Sequence, residues 1–167
     1  MAIRWFVASL VLVCSSTAYA ALPDPPDAFA GVRFLVGDWV GVSKPGEGSA
    51  AFSLQPDLQG KVLVRKHAAE VPTRADPKKL EHHEDLTILY PAAGLLKADY
   101  WDNEGHVIHY TVTTTADRAV FDSDPGPGPR FQLSYAKLPD GQLEIAFAIA
   151  MPGQELKPYL KGLAKRK

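Results

Sequence analysis

From residue 35 onward, apolar and polar positions alternate in short runs, and each run ends on turn-forming residues. Alternation with a period of two sends one set of side chains to each face of a strand. The pattern gives candidate strands at 35–42, 49–55, 62–71, 84–90, 95–102, 106–114, 118–122, 130–137, 142–150 and 157–164. Such closely spaced runs predict an all-β domain, a single antiparallel up-and-down β-barrel of about eight to ten strands. A helical pattern is confined to 28–34, one or two turns ahead of the first strand.

The best-determined hairpin joins 95–102 to 106–114 through Asn103-Glu104-Gly105, with glycine where a three-residue loop needs a left-handed residue. Pairing Asp102 with His106 sets Tyr100 opposite Ile108 and Ala98 opposite Tyr110. One face then carries Leu96, Ala98, Tyr100, Ile108, Tyr110 and Val112, and this apolar set is expected inside the barrel. Lys97, Asp99, Trp101, His109, Thr111 and Thr113 face water. The same test turns Leu86, Ile88 and Tyr90 inward, then Phe131, Leu133 and Tyr135, then Leu143, Ile145, Phe147 and Ile149. In 62–71, leaving Lys66 and Glu70 in water puts Leu63, Arg65, His67 and Ala69 inside. The proline-glycine run Pro125 to Pro129 cannot join a ladder and forms a loop at one barrel end, and Thr73 to Lys79 forms a second.

The N-terminus adds a destination. One basic residue, Arg4, precedes an apolar run from Trp5 to Val13, and Ala18-Tyr19-Ala20 offers a small-x-small cleavage site. Residues 1–20 are expected to be a cleaved signal peptide, which implies a periplasmic or secreted protein with no membrane anchor. A lipoprotein signal at Cys14 fits less well, because Val13 stands where a small residue is required. Residues 21–34 follow as an extended lead-in and short helix, and 35–167 as the barrel. Cleavage after Ala20 removes the single cysteine, so the remainder has no disulfide and must be held by its core. It also removes Arg4, the only charge of the segment, which moves the formal net charge from −1 to −2. Such a surface gives no electrostatic reason to expect nucleic acid as a partner.

The first strand carries Gly37-x-Trp39-x-Gly41 after a short helical turn, and this opening resembles that of calycin barrels, lipocalins and nitrobindin-like proteins among them. The resemblance extends loosely over the chain and is nearest to a set of uncharacterised bacterial lipocalin-like domains. It implies that Trp39 plugs the closed end of the barrel while Gly37 and Gly41 let the strand bend, so these three residues are structural. Lipocalins often set an arginine of the last strand against this tryptophan, and Lys161, Lys165 and Arg166 are the candidates here. Nitrobindin-like proteins bind haem through a histidine late in the chain. The last histidine here is His109, so haem is not carried over.

The densest polar cluster is Glu81-His82-His83-Glu84-Asp85. A strand beginning there is expected to turn His82 and Glu84 inward with Leu86, and His83 and Asp85 outward. Beside His67 the inward pair could form a metal set or an acid/base pair. A solvated strand end is the plainer reading, because adjacent histidines on opposite faces do not easily share an ion. Arg65 and Glu84 would lie on neighbouring strands and could pair inside the barrel, either as a structural ion pair or as a grip for an anionic ligand head. His106 across from Asp102 could orient an imidazole or simply tie the hairpin end. Tyr90, Tyr100, Tyr110 and Tyr135 complete the expected inward polar set.

The leading functional reading is reversible binding of a small, largely apolar molecule in the barrel, lined by Arg65, His67, Glu84, Tyr100 and Tyr110, with no cofactor and no metal. The enzyme alternative draws on His67, His82, Glu84 and His106. A third alternative is a protein-interaction module that presents Trp101 and the proline-glycine loop.

Overall fold

The computed structural model describes residues 27–167 except 45, 74 and 77. The expected signal segment 1–20 and most of the lead-in lie outside the described residues. A 3-10 turn at Ala30–Leu35 precedes ten strands: β1 Gly37–Gly41, β2 Ser49–Asp57, β3 Val62–Pro72, β4 Leu80–Ala92, β5 Leu95–Asp102, β6 Val107–Thr114, β7 Arg118–Ser123, β8 Arg130–Lys137, β9 Leu143–Ala150 and β10 Lys157–Arg166. Each strand pairs antiparallel with its neighbours in sequence, and β1 pairs with β10 to close the barrel. The fold is thus the up-and-down barrel that the alternation predicts. Among the described residues no helix is long and apolar enough to cross a membrane.

The closing seam is built on Trp39. Its indole nitrogen donates to the Leu35 carbonyl at 2.8 Å, its ring stacks on Phe52 at 6.1 Å, and only 2% of the residue is exposed. Arg166 of β10 covers the other ring face, with Cζ 4.5 Å from the ring centroid, and donates to the Val36 and Phe34 carbonyls at 2.9 and 3.3 Å. Gly37 is required here. Its φ is +128°, and a Cβ would lie 2.3 Å from the Arg166 guanidinium. The 3-10 turn buries Val32 and Leu35 and sets Gly31 against Thr114, so it caps the end where β6 turns into β7. Above this cap, Trp39, Phe52, Leu54, Leu89, Phe121 and Tyr135 belong to one continuous core.

Alternating strand direction places the β1–β2, β3–β4, β5–β6, β7–β8 and β9–β10 connections together at the opposite end. The Pro125 to Pro129 loop therefore lies at the uncapped end. The predicted register of the central hairpin holds, with Ala98 opposite Tyr110 and Tyr100 opposite Ile108.

The facing of β4 differs from expectation. Its inward residues are His83, Asp85, Thr87 and Leu89, whereas Leu86, Ile88 and Tyr90 face outward with His82 and Glu84. The reason is the turn. Ala93 and Gly94, at φ 50° and 78°, form a two-residue left-handed connection that pairs Ala92 with Leu95. That register fixes Leu89 opposite the inward Ala98 and Thr87 opposite the inward Tyr100, whatever the hydrophobicity of the residues between. Tyr90 accordingly donates to Asp99 at 3.0 Å on the outer wall rather than lining the interior. On β3 the expectation is met: Leu63, Arg65 and Ala69 are buried and His67 is half-buried.

Candidate functional site

The shift of β4 by one residue brings a set of ionisable groups into the barrel. In the β3–β4 ladder His67 lies opposite Asp85, Arg65 opposite Thr87, and Ala69 opposite His83. Asp85 in turn faces Asp102, and Thr87 faces Tyr100. Strand direction orders these residues by depth, with His83 nearest the uncapped end, Asp85 and His67 below it, and Arg65 deeper still.

Asp85 is the hub, with 5% of its side chain exposed. Its Oδ1 accepts from Arg65 Nη1, and its Oδ2 lies 2.7 Å from His67 Nδ1 and 3.5 Å from His83 Nε2. The Tyr100 hydroxyl donates to Asp102 Oδ2 at 3.0 Å and lies 3.4 Å from His83 Nε2. His106 closes the chain: its backbone amide donates to Asp102 Oδ1 at 2.9 Å, and its Nδ1 stands 2.9 Å from Oδ2. On the solvent side, His83 Nδ1 is 3.3 Å from Glu104 Oε1.

Burial opposes charge on Asp85, but the Arg65 guanidinium and the His67 hydrogen bond outweigh it and hold the carboxyl below its ordinary value. Burial also pushes His67 below its ordinary value despite the Asp85 contact, which favours a neutral imidazole. For Asp102, burial is again outweighed, here by hydrogen bonds from His106 and Tyr100. Burial first, then Asp85 and Asp102, raise the Tyr100 phenol far above its ordinary value, so it remains a hydrogen-bond donor.

Beneath the hub, Arg65 Nε, Thr87 Oγ1 and Tyr135 Oη are buried without a hydrogen-bond partner among the described residues. The Arg65 guanidinium also lies over Phe52, with Cζ 5.1 Å from the ring centroid. From β6 round to β9 the inner wall is apolar. Ile108, Phe131, Phe147 and Ile149 share the inward parity of the buried Tyr110 and Tyr135, yet each is only half-buried. Phe131 and Phe147 stack at 6.0 Å, and Tyr159 meets Phe147 edge-on at 6.1 Å. A cleft of about 400 Å³ touches the hub at the barrel wall, between His67, Asp85 and Asp102 on one side and Lys66, Leu86 and Trp101 on the other.

Of the residues singled out from sequence, Arg65, His67 and Tyr100 come together in the cluster. Tyr110 sits deeper, 2% exposed, with its ring edge-on to Phe121 at 6.1 Å. Glu84 does not join them. It faces outward, 3.3 Å from His82 Nε2, and Asp85 takes the Arg65 pairing expected of it. His82 also lies outside, bonded through Nδ1 to Glu70 at 2.7 Å. The sequence pattern turns His83 and Asp85 outward because Leu86, Ile88 and Tyr90 form the more apolar parity. The signal that identifies them is the Ala93-Gly94 turn, obscured by Pro91, which reads as a strand end but remains paired with Leu96.

The arrangement defines a closed antiparallel barrel with one capped end and a charged cluster set into the wall toward the other. The sequence matches no protein-family model and no curated protein. The functional argument therefore rests on the barrel itself.

Proposed function

We propose that this chain is an exported, calycin-like barrel that binds a small, largely apolar molecule entering through the uncapped end, with one polar group of the ligand turned toward the Arg65–His67–Tyr100 wall. The observation that carries this reading is the division of the inner surface. Ile108, Phe131, Phe147 and Ile149 point inward on β6, β8 and β9 but stay half-exposed, while β3 to β5 carry ordered hydrogen-bonding groups. Covering apolar surface gains roughly 25 cal/mol per Å², so an apolar body against these four residues has a driving force. Arg65 Nε, Thr87 Oγ1 and Tyr135 Oη supply buried polar atoms for its other end. Tyr110 belongs to the floor beneath, and Glu84 to the outer wall. The calycin assignment draws support from Arg166 lying on Trp39, and export from the pattern of residues 1–20.

Native mass spectrometry of protein isolated from its original host, followed by titration with dodecanoate monitored by NMR, tests the proposal. The expected result is a retained or added ligand that shifts the signals of Ile108, Phe131, Phe147 and Ile149 and is weakened by Phe131→Ser. A chain that carries nothing and shows no saturable shift, or shifts centred on Trp39, overturns it.

A further inference from the structure

Asp85 Oδ2 stands between two imidazole nitrogens on the inner wall of the barrel, His67 Nδ1 at 2.7 Å and His83 Nε2 at 3.5 Å. His83 and Asp85 share the inward face of β4, and His67 is the register partner of Asp85 on β3. One donor atom from each of the three residues lies within 4.8 Å of the others. We propose that His67 Nδ1, His83 Nε2 and Asp85 Oδ2 bind a single divalent transition-metal ion of zinc-like preference, with its remaining position turned toward the Tyr100 hydroxyl.

Three features beyond proximity support this site. Two of the ligands are held from behind: Glu104 engages His83 at Nδ1, and Arg65 engages Asp85 at Oδ1. Those contacts leave His83 Nε2 and Asp85 Oδ2 as the atoms directed at the common point, the outer support that metal-binding imidazoles and carboxylates characteristically have. The donor set is also suitable, because two imidazoles and one carboxylate with a free position suit zinc and related ions. The third feature is charge. The carboxylates of Asp85, Asp102 and Glu104 stand around the three donors, Arg65 pairs with Asp85 alone, and the other two meet only the imidazoles of His106 and His83, which leaves two negative charges uncompensated when the imidazoles are neutral. A divalent ion balances them, and Arg65 is kept on the far oxygen of Asp85.

In the metal-free chain a proton must occupy the His67–Asp85 contact for it to be a hydrogen bond. Ligation at Nδ1 moves that proton to His67 Nε2, and because both imidazoles must be unprotonated to hold the ion, affinity should fall as pH is lowered. This site shares His67 and Tyr100 with the polar wall of the apolar-ligand reading, but ion titration and ligand-induced shifts read the two separately, so either can fail without the other.

The test uses the full-length, untagged protein, stripped with chelator and titrated with Zn²⁺ by calorimetry and with Co²⁺ by visible spectroscopy. One ion per chain is expected, with the intense d–d bands of a four- or five-coordinate Co²⁺ site. His67→Gln and His83→Gln should each weaken binding about tenfold or more, whereas His82→Gln and His109→Gln should leave it unchanged. Should either ligand variant fail to fold, diethylpyrocarbonate labelling of the unaltered chain gives the same answer: Zn²⁺ should protect His67 and His83 but not His109. No bound ion, binding that survives both ligand substitutions, binding lost equally in His82→Gln, or labelling that Zn²⁺ leaves unchanged at His67 and His83 overturns the proposal.

Discussion

Arg166 lies over the ring of Trp39 at 4.5 Å and donates to the Val36 and Phe34 carbonyls, tying the last strand to the turn that enters the first. A barrel has one seam where strands distant in sequence must meet, and here the Arg166 side chain bridges it beside the β1–β10 ladder. Removing that side chain in Arg166→Ala forfeits a cation–π contact and two hydrogen bonds, a loss of about 1–2 kcal/mol. Arg166→Lys recovers only part of it, since an ammonium cannot present the planar fork. Urea denaturation measures both, and a change within about 0.5 kcal/mol, the range of an ordinary surface substitution, would contradict the role. Gly37→Ala should destabilise through its left-handed φ and its clash with Arg166. Combining it with Arg166→Ala should cost less than the two separate losses together, because the clash is then gone.

Asp85 and Glu84 offer a direct test of which face β4 turns inward. Asp85→Asn leaves the buried Arg65 without its counter-charge and is expected to cost about 3–5 kcal/mol. Glu84→Gln on the outer wall should change stability by no more than about 0.5 kcal/mol. Equal effects in the two denaturation curves would mean that the facing of β4 is wrong.

Acid should destabilise the barrel in two pH windows. His67 and Asp85 both titrate below their ordinary 6.5 and 3.8 in the folded chain, so the unfolded chain takes up protons first. Stability from these groups is therefore full above 6.5, declines as pH drops below 6.5, and declines again below 3.8 toward the folded value of Asp85. His82 has the opposite sign. Glu70 and then Glu84 raise it, so its contribution is present below 6.5 and is lost as pH rises through the raised value. Because His82 is exposed, screening keeps that effect small. Melting temperature against pH should show both declines in the native chain, and His67→Gln should abolish the first. Stability that stays flat from 6.5 down to 3.8 would refute the coupling.

Tyr135 separates packing from polar chemistry. Its hydroxyl is buried beside the Arg65 guanidinium with no well-aligned hydrogen bond among the described residues, so Tyr135→Phe should change stability by no more than about 1 kcal/mol. A ligand whose polar group reaches this layer should bind the variant more weakly than the native chain. Thermal melts and ligand titration of the same preparation read the two effects. A loss of stability comparable to that of Asp85→Asn would show that the hydroxyl has a structural partner.

Much of the barrel is legible in the chain because strand alternation and turn residues are local. The spans 95–102 and 130–137 and the register of the hairpin around Asn103-Glu104-Gly105 follow from sequence alone, since a three-residue loop with glycine in the left-handed position leaves few pairings. Leaving Lys66 and Glu70 in water is what places Arg65 and His67 inside, although Val62 and Val64 favour the other parity. The site was only half legible. Parity on β4 was read from hydrophobicity, and Leu86, Ile88 and Tyr90 outweigh Asp85 and Thr87 on any apolar scale.

By itself the sequence determined the class of fold, ten candidate strands for a barrel of about eight to ten, and the place of Trp39 on the first of them, because each depends on a few neighbouring residues. Only the tertiary structure decided that Arg166, among three cationic candidates, covers Trp39, and that His83 and Asp85 rather than His82 and Glu84 meet Arg65 and His67. Both outcomes depend on register. A two-residue turn fixes which face of β4 is inward for the whole length of the strand, and a buried guanidinium compensates the carboxylate that the turn carries into the barrel.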